Sequence, residues 1–124
     1  MLMVESIVIL CDSAAVGKNS AVEAIRMGSG LVALGEAVPT TVVLSGDAVL
    51  LLVKKANPKE VGQDSYDAVM EMADLSDLEI CVVTEALKDA GLKQDDLRPY
   101  GKLKLITQAE LASKIAQAGV TFRL

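Results

Sequence analysis

Histidine and tryptophan are absent from the sequence, and aromatic residues make up only 2% of it. Without histidine, the chain lacks the side chain that most often serves as a general base and as a metal ligand. Its two cysteines do not form a Cys-x-x-Cys pair, so the ligand pattern of a zinc site is missing as well. We therefore expect neither a metal centre nor a bound cofactor.

Positive charge and long apolar runs are also scarce. The chain carries 12 Lys and Arg against 17 Asp and Glu, a net charge of −5, whereas a surface that binds nucleic acid or an anionic membrane is basic. No apolar run reaches the ~18 residues that a membrane helix needs. Glu5 interrupts the first run and no basic segment precedes it, so we expect no signal peptide. These features predict a cytoplasmic protein with no direct nucleic-acid or membrane partner.

Aliphatic residues are what the chain has in abundance, since 52% of its 124 residues are hydrophobic. This length is typical of one domain, and we predict that residues 1–124 form a single domain. The mean hydropathy of +0.41 is high for a small monomer. Either an oligomer or a tightly buried parallel sheet would account for it, and the sequence leaves both open.

Short β-branched runs alternate with helical patterns along the chain. The runs at 6–11, 40–44, 80–83, 103–106 and 120–124 predict strands, and the segments at 19–34, 48–55, 65–75, 85–90 and 108–118 predict helices. Alternation of this kind is typical of a parallel sheet with helices on both faces. We predict an α/β fold, a three-layer α/β/α sandwich whose five-stranded parallel sheet has the flavodoxin-like order 2-1-3-4-5.

The predicted order places the first and third strands side by side, with a crevice at their carboxyl ends. Open α/β sheets bind ligands at such a place. The third strand runs directly into a helix that Thr84 can cap and that Gly91 can end. We predict that the crevice is lined by Asp12, Ser13, Gly17, Lys18, Gly46, Asp47, Val83, Thr84 and Glu85.

Two patterns near this crevice resemble binding motifs without matching them. Residues 15–20, AVGKNS, suggest a P-loop, but Asp12 stands where that motif has its first glycine and Asn19 where it has Ser or Thr. Asp12, Asp47 and Glu85 could hold Mg²⁺. Acids in these positions serve equally well as helix caps and surface charges, and we favour that interpretation.

Cys11 and Cys81 are the candidate nucleophiles or carriers of persulfide sulfur. A reactive cysteine must be accessible and its thiolate must be stabilised. Cys81 lies within a strand, and Cys11 ends the first strand beside the predicted crevice. Each could equally be a small buried apolar residue. A disulfide between neighbouring strands is conceivable, but a reducing compartment disfavours it.

Several segments, in order along the chain, resemble the DsrE/DsrF-like family of sulfur-relay proteins, and its DsrF/TusC branch most closely. They are the first loop AAVGK with the helix start AVEAI, the segment GDAV with the later Leu52, the strand–helix segment TEALKDAGL, and the closing strand–helix–strand at 105–124. The resemblance implies the α/β sandwich predicted above, assembly with homologous subunits or with itself as a dimer, trimer or hexamer, and sulfur donor or acceptor proteins as partners.

The same resemblance bears on the carrier cysteine. In the family that cysteine lies eight residues before the glycine of the strand–helix segment, and in this chain the position is Val83. The implied function is that of an accessory, structural subunit of a persulfide-transfer complex, without activity of its own. A self-sufficient sulfur carrier that uses Cys81 or Cys11, and a small-ligand-binding flavodoxin-like domain, remain as alternatives.

Overall fold

A computed structural model describes residues 6–12, 20–34, 39–53 and 66–124. Within these ranges the chain alternates strands and helices, as the sequence predicts. The strands are β1 (Ile7–Cys11), β2 (Thr40–Leu44), β3 (Glu79–Val83), β4 (Leu103–Ile106) and β5 (Val120–Arg123), and the α-helices are α1 (Ser20–Leu34), α2 (Asp67–Leu75), α3 (Thr84–Asp89) and α4 (Gln108–Gln117). Two 3-10 helices, η1 (Gly46–Leu52) and η2 (Gln94–Asp96), complete the described elements.

The five strands form one sheet in which all neighbouring pairs are parallel, so the predicted fold class is confirmed. The predicted order 2-1-3-4-5 is wrong, because the observed order is β4-β3-β2-β1-β5. Three successive crossovers move in one direction across the sheet, and only the fourth returns to the far side of β1. Consequently β2 is the central strand, and β1 and β3 are not neighbours.

The side chains of the strands agree with the observed order. The central strand β2 is apolar on both faces, and Val42, Val43 and Leu44 are all fully buried. The two edge strands alternate apolar with polar residues, in the sequences LKLI and VTFR. Alternation is typical of strands with one wet face, whereas continuous apolar runs are typical of strands covered on both faces.

Helix α1 covers one face of the sheet, which we call the α1 face. Ile9, Val42 and Ile80 stand in register there, and a Cβ added at Gly28 would lie 2.7 Å from Cγ2 of Val42. The missing side chain therefore lets α1 lie directly on β2. Helix α2 packs against α1 in the same layer.

Helix α4 covers the opposite face, which we call the α4 face. Val43, Cys81 and Val83 belong to it by register and alternation. Its N-terminus has the predicted capping box, in which the Thr107 hydroxyl accepts from the Glu110 N–H at 3.1 Å and the Glu110 carboxylate accepts from the Thr107 N–H at 3.0 Å. The helices thus lie on both faces, as expected. No helix in the described ranges is long and apolar enough to cross a membrane.

The helix predicted at 48–55 is the element that differs most. Residues Gly46–Leu52 form a 3-10 helix, which ends where Val53 makes an isolated antiparallel bridge to Leu97. The remainder of the predicted helix, residues 54 and 55, lies outside the described residues. Gly91 ends α3 with φ +72°, the left-handed conformation predicted for it.

Candidate functional site

The carboxyl ends of all five strands lie at one edge of the sheet, as in any parallel sheet, and the predicted crevice residues follow them. Because β2 separates β1 from β3, the residues after β1 and those after β3 form two groups rather than one crevice. Ser13, Gly17 and Lys18 lie outside the described residues. The other predicted crevice residues fall into one group or the other.

The first group joins the ends of β5, β1 and β2. The Asp12 carboxylate forms an ion pair with the Arg123 guanidinium at 2.6 Å. Gly46 has φ +51°, and a Cβ there would lie 2.9 Å from the Asp12 carbonyl oxygen, so the turn after β2 requires glycine. The Ser45 N–H also donates to the Cys11 carbonyl at 2.9 Å. These contacts fix the ends of three strands to each other, and they occupy the carboxylate that was predicted to line a binding crevice.

The second group joins the ends of β3 and β4. The Glu85 carboxylate accepts the Gln108 N–H at 3.0 and 3.1 Å, and also the Thr84 hydroxyl at 2.9 Å. The Gln108 N–H is at the start of α4 and has no partner within that helix. These hydrogen bonds lower the pKa of the Glu85 carboxyl, the one from Gln108 most of all. Glu85 therefore links α3 to α4 as a second cap.

Val83 and Asp47 complete the described part of the predicted crevice, and neither offers a ligand in it. Val83 is fully buried and is the residue directly before α3. Asp47 is exposed in the first turn of η1. Among the described residues, no three Cys, Asp or Glu side chains are close enough together to hold a metal ion.

Cys81 lies in a group of charged side chains on the α4 face, which we call the Glu79 cluster. Its thiol donates to the Glu79 carboxylate at 3.5 Å. Lys104 on β4 and Lys114 on α4 approach the same carboxylate at 3.6 and 3.9 Å. The cluster comprises Glu79, Cys81, Lys104 and Lys114, and it joins β3 to its neighbouring strand and to the covering helix.

This environment suppresses the thiolate of Cys81. Burial, together with the neighbouring Glu79 carboxylate, raises the pKa of the Cys81 thiol to about 11, although both lysines act to lower it. At pH 7 the thiol is therefore almost entirely protonated. The Cys81 side chain is also fully buried. Both conditions for a reactive cysteine, access and an ionised sulfur, are therefore unmet at this position.

Cys11 is likewise fully buried, at the end of β1 and on the α1 face in register with Leu44. The expectation that the two cysteines lie on neighbouring strands is wrong, because β2 lies between them and they belong to opposite faces of the sheet. Strands two positions apart are roughly 9–10 Å apart, beyond the reach of a disulfide. The two cysteines are accordingly thiols.

Sequence reasoning missed Arg123, Glu79, Lys104 and Lys114. Arg123 pairs with Asp12 because β5 lies beside β1, which the predicted strand order does not allow. Glu79 and Cys81 are two residues apart on β3, a spacing that puts both on one face. That spacing was the available signal for the Glu79 cluster.

A groove of about 500 Å³ lies away from the predicted crevice, toward the amino end of β4. Leu97, Arg98, Tyr100 and Leu103 are among its lining residues. The Tyr100 hydroxyl is already engaged, because it donates to the Leu78 carbonyl at 2.6 Å. The Arg98 guanidinium forms an ion pair with Asp67 through Nη1 at 3.2 Å, while its buried Nε has no hydrogen-bond partner among the described residues. The groove is thus lined by groups that hold the connection between β3 and β4 in place.

The chain is similar in sequence to one protein family and in structure to solved proteins. The sequence profile of the DsrE/DsrF-like family matches residues 5–122. No curated protein matches the chain. The ychN protein from E. coli has a similar structure, with a TM-score of 0.79 and 18% identity over 97% of this chain and 99% of that chain. A protein of unknown function from Methanobacterium thermoautotrophicum, MTH1491, gives a TM-score of 0.71 and 17% identity over 97% and 99% of the two chains. At such identities these two structures establish the fold alone.

Proposed function

The chain belongs to the DsrE/DsrF-like family, and from this we propose that it is an accessory, structural subunit of an intracellular sulfur-relay complex that transfers persulfide sulfur. In this proposal the chain builds the complex, and a homologous subunit carries the sulfur. The assignment to the DsrF/TusC branch, whose subunits often lack the carrier cysteine, is part of the proposal. Its partners are homologous subunits or further copies of itself, together with sulfur donor or acceptor proteins.

The observation that carries the proposal is the state of β3 and its carboxyl end. Valine occupies the position at which the family's carriers have cysteine, and a valine side chain has no atom that can accept sulfur. The nearest thiol on the same face is Cys81, two residues earlier and thus ~7 Å further along the strand. That thiol is buried and its pKa is raised to about 11. An accessory role agrees with both facts.

The test is the intact mass of the folded protein after incubation with a low-molecular-weight persulfide donor at neutral pH. We expect no added sulfur, because neither Cys11 nor Cys81 is accessible in the folded chain. The same incubation in denaturant is the matched control, since exposed thiols must then accept sulfur and show that the donor is active. The Cys11→Ser and Cys81→Ser variants are measured beside the native chain.

An added sulfur atom on the folded protein that is lost in only one of the two variants would contradict the proposal. It would identify that cysteine as a carrier and make the chain a self-sufficient sulfur carrier. The two variants separate the candidates by place, because Cys11 lies on the α1 face and Cys81 on the α4 face.

A further inference from the structure

The two edges of the sheet differ in how they are protected from pairing with another strand. Exposed edge strands of native proteins commonly carry lysine, proline or a bulge, which prevent such pairing. On the β4 edge, Lys104 projects from the middle of the strand with 65% of its side chain exposed. On the β5 edge the one charged residue of the strand is Arg123 at its end, with 70% of its side chain exposed and its guanidinium paired with Asp12 at 2.6 Å. Each edge thus carries one exposed cation in an ion pair, but on β5 this residue ends the strand and the preceding residues Val120 to Phe122 carry no charge.

The backbone of β5 has hydrogen-bonding groups directed away from the sheet. The Val120 N–H donates to the Ser6 carbonyl at 3.3 Å, and the Leu124 N–H donates to the Leu10 carbonyl at 2.9 Å. In a parallel ladder alternate residues bond to the same neighbour. The N–H and C=O groups of Thr121 and Arg123 consequently point outward, and in the described sheet β5 has β1 as its one neighbour.

The side chains of β5 are unusually apolar for an exposed strand. Val120, Phe122 and Leu124 have 46%, 39% and 37% of their surface exposed, and Phe122 is the only phenylalanine in the chain. Val120 and Phe122 stand in register with Ile7 and Ile9, on the α1 face. Alternation places Leu124 on that face as well. One edge thus combines outward backbone groups with a row of three apolar side chains.

From these observations we propose that β5 pairs antiparallel with β5 of a second copy of this chain, about a two-fold axis that passes beside Phe122. In this register Thr121 of each copy is opposite Arg123 of the other. These are the two residues whose backbone groups point outward, so each pair can exchange both of its N–H···O=C bonds. The two sheets become one continuous sheet.

The same register matches the side chains. Phe122 meets its own copy at the axis as a non-hydrogen-bonded pair, the kind in which side chains come closest. Val120 is opposite Leu124 of the other copy, and such cross-strand apolar pairs stabilise a sheet. The register that would instead centre on Arg123 places two guanidinium groups opposite each other, and the one that centres on Thr121 loses a hydrogen-bonded pair. The edge is therefore most complementary to itself, which favours a second copy over an unrelated partner.

This inference rests on the assembly part of the proposed function but does not depend on sulfur transfer. Two strands of about five residues form a narrow contact, below the area of a typical permanent interface. We therefore expect a dimer that dissociates on dilution. The thiol measurement described above reads a different property, so either proposal can fail while the other stands.

The experiment is sedimentation of the full chain over roughly two decades of concentration, since a dimer of this kind obeys mass action. The native chain is compared with Phe122→Lys, which places two like charges at the axis, and with Leu75→Lys. Leu75 is 80% exposed at the end of α2, in the crossover from β2 to β3, and is the matched control. We expect Phe122→Lys to raise the dissociation constant about tenfold or more and Leu75→Lys to leave it unchanged. Circular dichroism checks that both variants are folded.

A crosslinking measurement tests the register independently. In a background with Cys11→Ser and Cys81→Ser, Phe122→Cys brings two cysteines to a separation of about 4.5 Å between Cα atoms, within the range of a disulfide. Thr121→Cys brings its two copies only to a diagonal separation of about 7–8 Å, outside that range. We expect a covalent dimer from Phe122→Cys and little from Thr121→Cys under mild oxidation.

Three results would overturn the proposal. One is a native chain that stays monomeric at all concentrations and gives no Phe122→Cys crosslink. Another is an assembly that Phe122→Lys leaves unchanged, and the third is an assembly that only Leu75→Lys disrupts. An assembly larger than a dimer that Phe122→Lys reduces to half its mass would support the proposal, because the two-fold contact would then join two smaller units.

Discussion

Gly28 and Gly30 are two residues apart in α1, and their surroundings are opposite in kind. A Cβ at Gly28 would lie 2.7 Å from Val42 and 3.1 Å from Leu78, whereas a Cβ at Gly30 would have no neighbour within 4 Å. Glycine inside a helix costs up to ~1 kcal/mol relative to alanine. At Gly28 the lower helix propensity is offset because glycine allows the helix to approach the sheet closely. At Gly30 no contact in the described chain requires glycine.

We predict that Gly28→Ala lowers the free energy of unfolding by about 1–2 kcal/mol, because overpacking against the fully buried Val42 outweighs the gain in helix propensity. Gly30→Ala is the matched control and should raise the same quantity by up to ~1 kcal/mol. Urea denaturation of both variants measures the difference. Equal effects of the two substitutions would show that α1 does not lie on β2 as described.

The burial and the pKa of Cys81 are properties of a single residue that could not be predicted from the sequence. The depth of Cys81 depends on which strand and which helix cover it, and neither is encoded in its immediate neighbours. Its pKa depends first on that burial and then on Glu79, Lys114 and Lys104, which lie on three different elements. A sequence gives the chemistry of each side chain, but the approach of distant charges requires the strand order.

Local signals predicted most helices and strands, because caps and apolar patterns act over a few residues. The capping box at Thr107 and Glu110 was read from a spacing of three residues, and it is present in full. The helix predicted at 48–55 is in part a 3-10 helix, since its continuous apolar run, broader than one face, has no helical period to distinguish the two forms. The alternating patterns of β4 and β5 were a usable signal that these two strands are the edges.

We predict that Thr107→Ala lowers the free energy of unfolding by about 1 kcal/mol, because the Glu110 N–H loses its acceptor at the start of α4. Thr107→Ser keeps the hydroxyl and should retain most of the stability. Urea denaturation of the two variants gives the comparison. If alanine and serine had the same effect, the loss would come from the methyl group of threonine and not from the cap.

For the molecule as a whole, the alternation of strands and helices correctly predicted the α/β class, but the predicted strand order was wrong. Each crossover between parallel strands can move either way across the sheet, and hand rules restrict which face it crosses but not its direction. Burial of β2 on both faces decides against the predicted order, in which β2 would be an edge. That burial is a property of the assembled sheet.

We predict that the free energy of unfolding falls as the pH rises from about 9 to 12. Burial raises the pKa of Cys81 to about 11, that of Tyr100 to about 12, and that of Tyr66 above its usual value. In this range the unfolded chain releases protons that the folded chain retains, so ionisation favours unfolding. Urea denaturation at a series of pH values measures the fall.

The Cys81→Ala variant is the control for that prediction. Without the thiol, which has the lowest usual pKa of the three groups at 9.0, the fall should begin nearer pH 10, where tyrosine ordinarily ionises. Stability that is constant from pH 8 to 11 in the native chain would contradict the described burial of Cys81.

The crossover from β4 to β5, which returns to the far side of β1, determines when β1 can pair on both edges during synthesis. The second neighbour of β1, β5, lies more than a hundred residues further along the chain, so it leaves the ribosome well after β1. At a synthesis rate of roughly 5–20 residues per second, that interval lasts several seconds. During this interval β2, β3 and β4 can assemble on one edge of β1. The other edge of β1 stays unpaired, and the strand residues IVILC carry no charge. A nascent chain of this topology therefore exposes an apolar strand edge until β5 has been synthesised, and such an edge can pair with other chains.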